Sequence, residues 1–222
     1  MKHNFIIALH NILRSEGFYD GKRGWTNDPE DSGGPTLAGI TYNNYCEYIG
    51  EPGLCRPKND RNWDPAIVRA LRNITDDQIS DFYRTKKWSV VRGDDLPPGI
   101  DLAVVDVCTL HGLGKARSFY RQALALPESM RPFSDEELRA VWDTSVDWDH
   151  VIEAIAGLRR KHYYAIITKY PGKRKFLKGW LNRTRTVTAQ CCELAPDRSG
   201  ETMLTLADHG RCDDPEEPAI AA

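Results

Sequence analysis

Glu16 stands where an amphipathic helix runs out, at the head of the stretch RSEGFYDGKRGWTNDPEDSGGPTLAGIT, residues 14–41. Steps of three and four place it on one stripe with Phe5, Leu9, Ile12 and Leu13, so its carboxyl is expected at the core-facing end of that helix. Partial burial disfavours the charged form of a carboxyl. A carboxyl that keeps its proton near neutral pH is what general-acid catalysis needs. A plainer role fits the same position, a helix-end glutamate that caps a neighbour or pairs with an arginine. Downstream, Asp28, Glu30 and Asp31 lie in NDPEDSGGPT, where prolines and glycines constrain the path. A second carboxylate facing Glu16 across a cleft would complete the acid-plus-base pair of glycoside hydrolysis, and Thr36 and Thr41 are candidates to orient a water nucleophile. The acidic cluster also reads as a solvated turn. A calcium loop fits poorly, because the oxygen ligands lack its alternating spacing. Tyr19 and Trp25 offer rings for stacking on sugars, or anchors for the local core.

The elements that must hold these groups are mostly helical. Gly17 ends the first helix, and residues 18–41 read as a loop or small β-hairpin excursion rich in turn pairs. Beyond Thr41 the pattern is helix after helix. DPAIVRALRN starts with Asp64 as N-cap and Pro65 in the first turn. TDDQISDFYRTKKW opens on a capping box from Thr75 to Gln78, and SDEELRAVW on a second from Ser134 to Glu137. IDLAVVDVCTL is apolar enough for a central helix, and LGKARSFYRQALAL follows it. The longest helix is expected over DWDHVIEAIAGLRRKHYYAIITKY, with Val151, Ile155, Leu158, His162 and Ile166 along one face. KFLKGWLNRTRTVTAQCCEL closes the fold. The fold class is therefore mostly α with a small β element near the N-terminus.

Composition bounds the rest. The 222 residues are 41% hydrophobic, enough for a sizeable core, and 28% charged at net −2, so no global field points to nucleic acid or an anionic membrane. Residues 171–185 carry six Lys or Arg and no acid; they form a solvated face or a surface that meets an anionic polymer. Residues 208–222 are acidic and lack periodicity, as a disordered tail would. Cysteines 46, 55, 108, 191, 192 and 212 contain no C-x2-C pair and form no metal signature. Free thiols are expected, with Cys46 and Cys55 spaced for a later disulfide. The N-terminal FIIAL run is too short for a secretory signal, and no segment approaches the ~20 apolar residues of a membrane helix. Synthesis in the cytoplasm without a signal peptide is the expectation. His111, at the end of an apolar helix, reads as a structural histidine, and Trp180 as core.

The 16–41 constellation resembles the signature of the glycoside hydrolase 108 muramidases, E-G-G-Y, a short gap, N-D-P-x-D-x-G-G-x-T, then G-I-T. Glu16, Gly17, Phe18 and Tyr19 answer the first block, with Phe18 at the usual glycine. Asn27, Asp28, Pro29, Asp31, Gly33, Gly34 and Thr36 answer the second, and Gly39, Ile40 and Thr41 the third. The insertion DGKRGW separates the first two blocks. Further on, ISDFYRTKKW (79–88) is similar to an I-Y-x-x-x-Y-W segment. LPPGIDLAVVDVCTLHGLGKA (96–116) resembles the start of a peptidoglycan-binding-like half, with Cys108 to Gly112 where Asn-Ser-Gly is usual. KFLKGWLNRTR (175–185) resembles a closing F-x-x-G-W-x-x-R motif.

That resemblance implies a lysozyme-like α+β fold. It implies a catalytic lobe over residues 1–92, a helical peptidoglycan-binding-like half over 93–190 packed on it, and a partly disordered acidic tail over 191–222. It implies Glu16 as the acid that protonates the glycosidic oxygen between N-acetylmuramic acid and N-acetylglucosamine. Asp28, and after it Asp31, with Thr36 or Thr41, would position water, and Tyr19, Trp25 and Gly39 would lie on the substrate side. No cofactor and no metal are expected. The implied partner is bacterial peptidoglycan, reached in the periplasm or wall after holin-dependent release, by a monomer with no membrane anchor and no nucleic-acid role. Two other readings keep the scaffold: a lytic transglycosylase using the same Glu16, and a non-catalytic wall-binding or virion structural protein.

Overall fold

The computed structural model describes residues 2–27, 34–57, 60–143 and 145–196. The described residues are 67% helical, and the sheet among them is one antiparallel pair, β1 (Thr36–Leu37) with β2 (Ile40–Thr41), in the register Thr36 opposite Thr41. This is the lysozyme-like α+β class anticipated above. Helix α1 (Lys2–Ser15) leads into the turn-rich excursion, which rejoins the hairpin through a bridge between Thr26 and Thr36. Helices α2 (Tyr42–Tyr48), α3 (Pro65–Arg72) and α4 (Asp76–Tyr83) follow.

The local signals act as their chemistry demands. Asp64 accepts from the Ala66 N–H at 2.8 Å ahead of Pro65. Both capping boxes, Thr75 with Gln78 and Ser134 with Glu137, are closed in both directions; each satisfies two N–H groups that the first helical turn leaves without partners.

Helix α5 (Ile100–His111) is the centre of the molecule. Every residue from Ile100 to Cys108 is buried, as a helix apolar on all sides must be. Each fully buried Val, Leu or Ile stabilises the fold by roughly 1.5–3 kcal/mol. Helices α1, α6 (Leu113–Ala123), α8 (Trp148–Lys169) and α9 (Leu177–Leu194) pack around it, while α7 (Asp135–Ala140) lies outside that inner layer. One continuous apolar cluster runs from Phe5 to Cys191. Among the described residues no helix is long and apolar enough to cross a membrane.

Two expectations need correction. On α8, Val151 and Ile155 are buried as expected, but Leu158, His162 and Ile166 are only half-buried; the buried face turns instead through Ile152, Ala156, Arg159, Tyr163 and Ile167. The apolar count pointed to Leu158 and Ile166, but a buried aspartate on α5 gives Arg159 a reason to face inward. Helix α9 continues through Cys191 and Cys192 to Leu194, past residue 190 where the tail was expected to begin. Residues 197–222 lie outside the described residues.

Candidate active site

The end of α1 fixes Glu16. The N–H of Gly17 donates to the Arg14 carbonyl at 3.2 Å and that of Phe18 to the Leu13 carbonyl at 3.0 Å, the double bond of a Schellman stop with Gly17 in the left-handed region at φ 68°. Glu16 is therefore the capping residue just past the end of α1, and its side chain leaves the apolar stripe just as the stripe ends. It is 21% exposed, shielded from bulk water on most sides.

The hairpin turn closes one of those sides. Ala38 and Gly39 form the turn between β1 and β2, and the Tyr83 hydroxyl, from α4, donates to the Ala38 carbonyl at 2.6 Å. Gly39 takes φ 77°, and a Cβ there would stand 2.7 Å from the Tyr83 hydroxyl and 2.9 Å from both Cγ and Cδ of Glu16. A real Cβ does not approach so closely, so only glycine lets this backbone lie flat against the carboxyl. Burial, with the Glu16 carboxylate nearby, holds the Tyr83 phenol well above its ordinary value, so it stays a neutral hydrogen-bond donor.

Behind Glu16 the surroundings differ from the apolar wall that the sequence suggested. Arg183, from α9, donates through Nη1 to Glu16 Oε1 at 2.7 Å and through Nη2 to Asp106 Oδ1 at 2.9 Å. Asp106, from α5, is 1% exposed, and its Oδ2 lies 2.8 Å from Nη2 of Arg159, itself 2% exposed. That second contact is close in distance but off the angle of a hydrogen bond, since Asp106 Oδ2 makes none in the protein. Two acidic side chains and two guanidiniums thus alternate from the helix end into the core. Burial alone would push the Asp106 carboxyl up, but the two guanidiniums outweigh it and hold it below the usual carboxylate range. Arg183, whose charge burial disfavours, is held even more firmly protonated by Asp106 and Glu16. The chain of groups ends at Tyr163, whose hydroxyl meets Arg159 Nη2 at 3.5 Å and His111 Nε2 at 3.2 Å. Burial beside Arg159 lowers the His111 pKa to about 4, so its imidazole is neutral at working pH, and it is the structural histidine expected.

The other expected site residues are dispersed. Asp28 and Asp31 lie outside the described residues. Thr36 Oγ1 donates to the Gly34 carbonyl at 3.1 Å, and Thr41 Oγ1 caps α2 by accepting from Asn44 N–H at 3.3 Å. Tyr19 is 55% exposed and its hydroxyl meets His10 Nδ1 at 2.9 Å. Trp25 packs on the core with the Arg72 guanidinium 5.4 Å above its ring. Trp180 is half-buried, stacked between Tyr163 and Phe176 at 5.1 and 5.9 Å. The sequence reading missed Arg183, Asp106, Arg159 and Tyr83. Arg183 was within reach, because it is the closing arginine of the F-x-x-G-W-x-x-R motif.

Comparison with known proteins rests on this same region. Residues 9–112, from α1 through the end of α5, match the family model described as Glycosyl hydrolase 108. Over that segment the chain is similar to glycosyl hydrolase family 108. A solved structure entitled "Structure of Brucella abortus SagA" shares the fold, with a TM-score of 0.68 at 24% identity over 89% of this chain and 98% of that one. No curated protein matches. That similarity supports a glycoside hydrolase activity, with peptidoglycan as the substrate the family implies. The family segment contains Glu16, Gly39, Tyr83 and Asp106, whereas Arg159 and Arg183 come from beyond it.

Proposed function

We propose that this protein is a family 108 muramidase of the endolysin type that cleaves the β-1,4 bond between N-acetylmuramic acid and N-acetylglucosamine, with Glu16 as general acid. The observation that carries the reading is the placement of Glu16: a carboxyl fixed at a helix end, shielded, pressed by the Gly39 backbone and gripped through one oxygen by Arg183. Oε1 takes the guanidinium, and among the described residues no hydrogen bond engages Oε2. The proton is delivered from Oε2 to the glycosidic oxygen, while Arg183 holds the carboxyl plane and faces the negative charge that remains after transfer. A positioned acid of this kind contributes about 10²–10⁴-fold. The second carboxylate is assigned to Asp28, then Asp31. Thr36 and Thr41 line the hairpin that would present the attacking water, and Tyr19 and Trp25 supply the stacking surfaces.

The products test the reaction type. Mass spectrometry of muropeptides released from purified sacculi should show hydrated, reducing N-acetylmuramic acid ends. Anhydro ends would replace the hydrolase with a transglycosylase, in which the sugar's own 6-hydroxyl attacks. Release of no fragments, with the protein bound to the sacculi, would make it a binder.

Gly39 tests the geometry. In Gly39→Ala the new methyl meets Glu16 and the Tyr83 hydroxyl and also demands a left-handed φ, a strain of about 1–3 kcal/mol. Because a shift of about 1 Å at a reacting group costs on the order of a hundredfold, turnover should fall roughly ten- to a hundredfold, with a lower melting temperature. Undiminished turnover would mean that the turn does not set the position of the carboxyl.

A further inference from the structure

We propose that Cys46 and Cys55 are the site of an intramolecular disulfide, formed when the chain meets an oxidising compartment, that staples the segment supporting the β-hairpin. Both sulfurs are free thiols here, Cys46 buried on α2 and Cys55 half-buried just after the 3-10 turn Pro52–Leu54. They are nevertheless brought together. The chain turns back on itself at Glu51, whose N–H donates to the Cys46 carbonyl at 2.9 Å. Asn43, one turn before Cys46, then clamps the returning strand: its Nδ2 donates to the Arg56 carbonyl at 2.8 Å and its Oδ1 accepts from the Arg56 N–H at 2.9 Å. The Cys55 thiol points the same way, 3.6 Å from the Asn43 carbonyl, and lies near enough to the Cys46 thiol to act on it electrostatically. Thiols on two segments clamped together in this way need little backbone movement to pair.

The exchange chemistry has a natural order. Cys55, the more accessible, attacks one sulfur of an external disulfide as the thiolate and displaces the other half. Cys46, whose thiol burial pushes up, then attacks the Cys55 sulfur within the fold and releases the second half. Two electrons and two protons pass from the chain to the oxidant, the disulfide donor, which is a low-molecular-weight disulfide or a disulfide-exchange protein and leaves as two thiols. The chain would meet such a donor once outside the reducing cytosol.

The staple has a structural object. The segment after Cys55 carries Trp63, which stacks on Tyr42 with ring centroids 4.9 Å apart. The Trp63 indole also lies so close to Gly34 that a Cβ there would fall 2.4 Å from it. Gly34 leads into β1, so the bridge would tie down the buttress behind the hairpin that presses on Glu16.

The test uses the full chain and reads mass and melting, not activity. Incubation with oxidised glutathione, alkylation of remaining thiols and peptide mapping should yield Cys46 and Cys55 in linked peptides, with an intact mass lower by two hydrogens. The bridged form should melt about 5–10 °C higher, a gain that dithiothreitol reverses and Cys55→Ser lacks. A chain that stops at a glutathione adduct on Cys55, or links either thiol to another cysteine, would overturn the pairing. A bridged chain that melts no higher would overturn the staple.

Discussion

Glu16→Gln should lower the rate of wall hydrolysis by about 10²–10⁴-fold while leaving the melting temperature within a few degrees of the parent. The substitution keeps the size and shape of the side chain, and its amide oxygen still accepts from Arg183 Nη1 where Glu16 Oε1 does at 2.7 Å. What it removes is the transferable proton. Arg183 loses a charged partner but keeps Asp106 at 2.9 Å, so the local fold survives with half of the guanidinium still ion-paired. Clearing of outer-membrane-permeabilised cells and release of reducing ends from sacculi, read beside a thermal melt, separate the two effects. Full turnover in a folded Glu16→Gln protein would end the muramidase mechanism proposed for this residue. A loss of activity accompanied by a collapsed melt would instead assign Glu16 to the architecture, the role that a helix-end glutamate paired with an arginine would have.

Both roles rest on contacts that the sequence showed unevenly. Local signals were legible because their partners are neighbours in the chain: the Gly17 stop behind Glu16, the Asp64 cap, the two capping boxes and the hairpin around Gly39 each involve residues a few positions apart. The apolar run of α5 announced a central helix for the same reason. The acids on that helix did not announce themselves, since a carboxylate within an apolar run gives no sign of what meets it. Asp101 is buried at the head of α5, where desolvation raises its pKa to about 6 and Asn4 together with the N–H groups of Gly99 and Leu102 holds it. Asp106 is answered by arginines 53 and 77 residues downstream. Counting apolar residues put Leu158 and His162 inward on α8, and only knowledge of Asp106 would have turned Arg159 and Tyr163 there instead. The expectation of an apolar wall behind Glu16 failed on the same ground, because the wall is built from α9, at the other end of the chain.

Asp106 is where the largest change in stability is expected. It sits 1% exposed between Arg183 and Arg159, so Asp106→Asn would leave one wholly buried guanidinium and one partly buried guanidinium with a neutral partner. Removing one member of a buried ion pair costs about 3–5 kcal/mol, which in a chain of this size lowers the melting temperature by roughly 6–20 °C. The pH dependence carries a sign of its own. Because the folded protein holds the Asp106 carboxyl below its unfolded value, its contribution is fully present above the ordinary carboxylate range and is lost as pH falls through and below it. The parent should therefore lose stability on acidification more steeply than Asp106→Asn. Activity should fall as well, since among the described residues Arg183 is the group that hydrogen-bonds the Glu16 side chain, and Asp106 is what holds it in place. Adding Arg159→Met to Asp106→Asn removes the stranded charge and should recover part of the melting temperature without recovering the activity, because Arg183 still lacks its anchor. An Asp106→Asn protein that melts with the parent and clears cells at the parental rate would mean that the buried charges neither hold the core together nor set the acid in position.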